Sequence, residues 1–408
     1  MSRSVRTRNR DTAALALGSA ASGLLAYVFF ALTTRGLGSA AAAPVAVLWS
    51  YWAFAGAAVA FPLQHWVTRS ILAHGEGAVR RTVPRLVAAL LTLSLAAVVV
   101  TALLREPLFH RNDLWFPALA GALTVGAGVT GLFRGSLSGR NQLTAVGASL
   151  VAENALRCVA ATTLYLAGER NPVGYGCALI AGNLVAVCWP SAFRFAPGTG
   201  SSRLSPFAFL AGAGLAQLVN QVVLTGGPVL LALTGGSPAE VTALFAALAL
   251  FRAPYLVALG IMPQVTRLVT SLVLAGNAAT VERFRAFVVG VTLAASLLAG
   301  AFGAWLGPGV LHVVFGTSLQ LDAQQTALVA VGCAVAVANL VLTVSDLAQD
   351  RPTGVAGSWV AALVVGAVAV LVLGGLTPLE RTVWAFVVAE VAAFVALLGV
   401  GLRRRAGP

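Results

Sequence analysis

Apolar runs of about twenty residues, separated by short polar turns, recur along the whole chain. They fall at about 12–34, 44–65, 83–104, 115–133, 142–166, 173–192, 206–233, 239–262, 284–306, 324–346, 354–374 and 382–402. Each is near the ~20 residues that an α-helix needs to cross bilayer hydrocarbon. The pattern predicts an all-α integral membrane protein of about twelve transmembrane helices. No turn is long enough to fold as a soluble domain. One segment, 264–285, combines apolar residues at helical spacing with Arg267, Arg283 and Arg285. It is expected to lie along the inner membrane surface as an amphipathic helix.

Composition agrees. Of 408 residues, 59% are hydrophobic and 10% charged, with a mean hydropathy of +0.89. The 26 basic residues are all Arg, and the formal charge is +13. In a soluble protein that charge would suggest nucleic acid. Here the arginines cluster in the turns, which is the positive-inside pattern, so no nucleic-acid partner is expected. With both termini in the cytoplasm, nineteen arginines fall on the inner side and five on the outer, while Arg157 and Arg252 lie inside spans. The expected location is a bacterial-type inner (plasma) membrane, crossed many times. The basic start, 1–11, precedes an apolar run too long for a signal peptide and reads as a cytoplasmic lead to an uncleaved helix. The four Cys and four His are scattered without ligand spacing, so no metal or cofactor is expected.

The segment 193–205, rich in Gly, Ser and Pro, reads as a cytoplasmic linker between a bundle at 12–192 and a second at 206–402, with a short tail at 403–408. Two echoes suggest duplication. Val67-Thr68-Arg69 follows a proline-ended span, and so does Val265-Thr266-Arg267, about 198 residues later. The turn at 137–147 likewise resembles that at 347–357. Matches at equivalent points favour two six-helix bundles related by a parallel pseudo-repeat, with a cavity between them.

Candidate chemistry lies in the few polar groups inside spans. Glu153 and Arg157 are four apart with the acid first, so they share a helix face. Each costs roughly 2.5–3.5 kcal/mol to place in an apolar span on insertion scales. They are either a self-neutralising packing pair or a cavity arginine oriented by its acid. Gln217, Asn220 and Gln221 form one polar stripe, serving as interhelical hydrogen bonds of about 0.6 kcal/mol each or as a cavity wall that contacts sugar hydroxyls. Arg252 sits mid-span before Ala253-Pro254, where proline frees a backbone carbonyl. Glu390 has no local partner and is either a protonated packing group or a protonatable coupling site. Asp346 is expected to pair with Arg351 at the interface. Asn183 and Asn339 read as packing.

The span-one exit Thr33-Thr34-Arg35-Gly36-Leu37-Gly38, the stretch from Arg134 to Arg157, the span from Phe245 to Arg267 and the segment from Leu311 to Leu321 together resemble polysaccharide-biosynthesis flippases of the multidrug/oligosaccharidyl-lipid/polysaccharide exporter superfamily. The resemblance implies two six-helix bundles and alternating access. It also implies a lipid-linked, anionic glycan carried from the inner to the outer leaflet, with a glycan polymerase or glycosyltransferases acting alongside. Arg157 and Arg252 would attract the head group, and Glu153, Gln217, Asn220 and Gln221 would complete the cavity. The alternative is a cation-coupled multidrug exporter of the same fold. That branch relies on acids in its first bundle, where the only deep acid here is Glu153. A membrane-embedded enzyme would need a large outer loop for its catalytic groups, so no enzymatic activity is expected.

Overall fold

The computed structural model describes residues 2–198, 206–275, 278–316, 318–349 and 351–402, and among these every regular element is helical. In chain order the helices are α1 (Ser2–Leu37), α2 (Ser39–Ala55), α3 (Phe61–His74), α4 (Glu76–Leu103), α5 (Arg105–Phe109), α6 (Trp115–Gly139), α7 (Leu143–Leu166) and α8 (Pro172–Ala181). They continue with α9 (Pro206–Thr225), α10 (Gly227–Leu233), α11 (Pro238–Phe251), α12 (Ala253–Leu274), α13 (Ala278–Phe315), α14 (Ala323–Ala348), α15 (Pro352–Val372) and α16 (Pro378–Leu402). Among the described residues nine spans are long and apolar enough to cross a bilayer, or ten if the bent pair α11–α12 counts as one. The expected spans at 173–192 and 206–233 correspond to the short apolar helix Pro172–Cys188 and to α9 with α10. The protein is therefore an all-α membrane protein.

Two expectations about boundaries change. Helix α1 begins at Ser2, so the basic lead is helical. The segment 264–285 is no separate surface helix: α12 runs on to Leu274 and α13 starts at Ala278. The pair Gly276-Asn277, where a helix readily stops, lies outside the described residues.

The chain divides into two compact units, Met1–Gln221 and Val222–Pro408. In the first, α6 is the most enclosed helix and is packed by α3, α4 and α2. Its sequence places Gly131, Gly135 and Gly139 on one stripe, and α3 seats directly on it. A Cβ on Gly131 would lie 2.6 Å from the Ala60 carbonyl oxygen, one on Gly135 2.7 Å from Val67, and one on Gly139 2.9 Å from Ile71. Lipid tails are as apolar as leucine, so helices in a membrane associate through such close backbone approach. Helix α4 instead turns Leu91, Leu95, Val99 and Leu103 outward, as a lipid-facing helix does.

In the second unit α13 packs along α14 and α15 along α16, with α14 also against α12 and α16. Local sequence fixes the helix starts. Ser237 with Glu240, and Asp322 with Gln325, form reciprocal capping boxes that satisfy otherwise orphaned amide donors.

In each unit one span departs from a regular α-helix. Between α2 and α3 the helix passes through a π-helical turn, Gly56–Ala60, an irregularity that is frequent at functional sites. Between α11 and α12 the axis turns by 44° at Arg252. The offset that relates Val67 to Val265 carries Gly56 onto Pro254. Each unit also has a turn arginine that clasps the backbone at or just beyond the end of a later helix. Arg140 donates to the carbonyls of Ser191 and Arg194, 2.7 Å each, and to Glu76 at 2.8 Å. Arg351 donates to the Val400 carbonyl at 2.9 Å. The expected pair of Asp346 with Arg351 is loose, at 4.0 Å. The closer partner of Asp346 is Arg285, at 2.9 Å, which also holds the Leu397 carbonyl at 2.7 Å.

Candidate functional site

Two clusters of polar groups lie inside the apolar spans, one in each unit. The first is built on α7. Glu153 shares its carboxylate between two guanidinium groups: Oε1 accepts from Arg157 one turn along the helix, and Oε2 accepts from Arg134 of α6 at 2.5 Å. Arg134, counted among the turn arginines in the sequence, is instead buried within α6. Its Nε also donates to the Ser149 hydroxyl at 2.9 Å.

Arg157 is fully enclosed and every nitrogen is engaged. Nε donates to the Leu179 carbonyl at 2.9 Å and Nη1 to Asn154 at 3.1 Å. The guanidinium also lies 4.5 Å from the Trp52 ring centroid. Gly182 makes the space for this, since a Cβ there would come within 2.4 Å of Arg157 Nε. The carbonyl of Leu179 is reachable because α8 ends at Ala181 and the chain tightens into a 3₁₀ turn, Gly182–Cys188. Two cations on one acid leave this cluster with a net charge of +1.

The second cluster is built on α14 and α16. Glu390 and Asn339 are both fully buried. Asn339 Nδ2 donates to the Glu390 carboxylate Oε2 at 2.7 Å and to the Glu390 backbone carbonyl at 2.9 Å. Glu390 Oε1 and Asn339 Oδ1 have no hydrogen-bond partner. The pair therefore has more acceptors than donors. Arg252, Tyr255 and Cys333 each lie within electrostatic reach of Glu390. Arg252 ends α11 as its C-cap. One Nη2 proton goes to the Leu224 carbonyl, which ties the bend to the end of α9, and Nε has no partner.

Of the remaining sequence candidates, Gln217 is exposed on α9 while Asn220 and Gln221 are half-buried. Sequence reasoning missed Arg134, because nineteen residues and a helix turn separate it from Glu153. It also read Asn339 as mere packing, since nothing in the chain links position 339 to 390. Among the described residues no group of three or more His, Cys, Asp or Glu could hold a metal ion.

No family model matches the chain. Uncharacterized proteins of Mycobacterium tuberculosis (strain H37Rv) and Mycobacterium bovis are each 31% identical over 224 residues, which is 51% of this chain and 48% of theirs. The match thus spans about half the length of the curated relatives. Solved structures match almost throughout. The inward-facing conformation of a multidrug resistance MATE family transporter of the MOP superfamily gives a TM-score of 0.72 at 17% identity, covering 94% of this chain and 95% of that one. The outward-facing conformation of such a transporter gives 0.62 at 15%, covering 97% and 96%. A MOP superfamily transporter from Pyrococcus furiosus, described as having a binding pocket of reverse polarity, gives 0.63 at 15%, covering 97% and 96%. The chain has the fold of these transporters.

Proposed function

We propose that this protein is a multi-pass exporter that works by alternating access and is driven by a cation, with Glu390 as the group that takes up the coupling proton. The fold it shares with transporters solved in both inward- and outward-facing conformations supports alternating access. The buried Glu390–Asn339 pair, with one unpartnered oxygen on each side chain, carries the coupling assignment. An apolar span tolerates an ionisable group where it serves a proton or ion pathway. A proton on Glu390 supplies the donor that the pair lacks, and its loss leaves a carboxylate facing only one amide and the more distant Arg252. Coupling on this reading requires that this gain differ between the inward- and outward-facing conformations, so that the proton shifts the balance between them. The cargo of this reading is a drug-like organic molecule. The membrane of this reading is the bacterial-type inner membrane, with both termini in the cytoplasm.

The test is transport in proteoliposomes with an imposed pH gradient. Glu390→Gln is expected to fold, to bind cargo and to lose gradient-driven transport. Full gradient-driven transport in a well-folded Glu390→Gln protein would overturn the assignment.

A second reading, flipping of a lipid-linked anionic glycan, is favoured by the free Nε of Arg252, which can serve a phosphate oxygen. Arg157 lends it less support, because its guanidinium is already fully engaged. Arg252→Leu separates the two: the flippase reading expects glycan export to stop, while the drug exporter reading expects export to continue.

A further inference from the structure

In the second unit a buried donor and a buried acceptor both lack partners. Arg252 Nε and Glu390 Oε1 have no hydrogen bond among the described residues, and the two side chains are within electrostatic reach of each other. The other groups that face Glu390 are Asn339 and Cys333 on α14 and Tyr255 on α12. Asp346, also on α14, is taken by Arg285. Helices α10 and α15 pack on α16 as well, and neither carries an ionisable side chain. Among the groups that face the acid, Arg252 is the cation.

Arg252 also stands where its span breaks. It is the single residue between α11 and α12, whose axes differ by 44°. Pro254, in the first turn of α12, has no backbone N–H to continue the ladder of α11, so the break is written into the sequence. The two sides of it are held differently. Residues Val241 to Leu248 of α11 are all buried, whereas Leu256, Val257 and Leu259 of α12 are exposed. A hinge absorbs its motion in a few residues at the end of an element. A change of angle here re-aims the Arg252 guanidinium and leaves the buried half in place.

We infer that Arg252 receives the Glu390 carboxylate once the acid has given up its proton to water, and that the α11–α12 break changes its angle to bring them together. The inference rests on the reading of Glu390 as the coupling acid. A carboxylate inside an apolar span needs a counter-charge and hydrogen bonds. Asn339 supplies one donor to Oε2, and Arg252 Nε is the donor available for Oε1. With the proton in place the acid is neutral, the attraction is gone, and Arg252 holds only the Leu224 carbonyl. The guanidinium keeps its charge throughout, so Glu390 alone changes protonation state. The pairing lowers the energy of the empty, deprotonated protein. Loss of Arg252 is therefore expected to slow export severalfold without stopping it.

The break can be followed in the full chain with its four native cysteines replaced. Spin labels on Val257→Cys of α12 and Leu297→Cys of α13, both exposed positions, report the angle by electron–electron double resonance in nanodiscs. Raising the pH is expected to add a second distance population in this parent chain. Glu390→Gln, uncharged at every pH, and Arg252→Leu are expected to keep the low-pH population alone. Arg252→Lys should respond partly, because it keeps the charge and loses the planar fork. Gel filtration confirms folding, and Arg252→Met carries the test if Arg252→Leu aggregates. A full response in Arg252→Leu overturns the role of Arg252 and leaves Glu390 as the coupling acid. A parent chain that does not respond also overturns it, and gradient-driven transport by Glu390→Gln then decides separately whether the coupling assignment falls too. A full response in Glu390→Gln means that another group titrates, and both readings fall.

Discussion

Asn339 holds Glu390 twice with one nitrogen, at the carboxylate and at the backbone carbonyl of the same residue. The side-chain amide thereby orients the acid and fixes α14 against α16 at its depth. Replacing Asn339 with Leu removes the donor and leaves the acid with none. The expected cost is about 1–3 kcal/mol for a buried polar group left unsatisfied. Thermal unfolding in detergent checks it. A double-mutant cycle with Glu390→Gln should show coupling between the two positions, whereas strictly additive losses would mean that the amide does not act through the acid.

The Arg134–Glu153–Arg157 cluster predicts a graded response. Removing one partner of a buried ion pair costs about 3–5 kcal/mol, because the other charge stays buried and unpaired. Glu153→Gln leaves two cations facing each other and is expected to be the most damaging single change. Arg157→Leu removes one of two cations and leaves Glu153 paired with Arg134, so its loss should be smaller. The folded fraction on gel filtration ranks the variants. An Arg157→Leu protein less stable than Glu153→Gln would show that the contacts to Leu179, Asn154 and Trp52 outweigh the electrostatics.

Much of this architecture was legible in the chain because a bilayer imposes one rule on every span, and apolar length records it. Local pairing was legible too: Glu153 and Arg157 meet because they lie one turn apart. What the sequence hid depends on which helices become neighbours. Arg134 looks like a turn residue until α6 is seen to run on to Gly139 and face α7. Asn339 and Glu390 are ordinary residues of separate spans until α14 and α16 pack. The surface helix expected at 264–285 fails for a related reason, since apolar spacing alone does not distinguish an interfacial helix from the continuation of a span. The glycine stripe could have been read as a packing face, because Gly131, Gly135 and Gly139 recur every fourth residue.

That stripe gives a sharp contrast between glycines. A Cβ on Gly135 would meet the Gln64 carbonyl oxygen at 2.8 Å as well as Val67, and backbone cannot swing aside as a side chain can. Gly135→Leu is expected to separate α3 from α6 and to reduce the folded yield severely. Gly290, on α13, would place a Cβ in open space, and Gly290→Ala should be neutral or slightly stabilising through better helix propensity, by up to about 1 kcal/mol. Unfolding temperatures of the two variants in one detergent make the comparison. Equal tolerance would show that α3 and α6 do not need this close approach.

The orientation of the chain can be tested across a single helix. Helix α4 has 28 residues, which at 1.5 Å per residue is about 42 Å, enough to cross the hydrocarbon core and both of its edges. Arg80 lies near its start and Asn112 in the turn beyond its end, and both are exposed. The arginine tally of the turns leads us to expect the Arg80 end in the cytoplasm. In a chain whose four native cysteines are replaced, Arg80→Cys should react with an impermeant thiol reagent only after the cells are opened. Asn112→Cys should react in intact spheroplasts. The reverse pattern would invert the orientation. Reaction of both from one side would mean that α4 does not cross at all, and the inner and outer tally of arginines would then lose its basis. The measurement also bears on Glu390, because the direction in which a coupling proton must travel is defined only once the inner side is known.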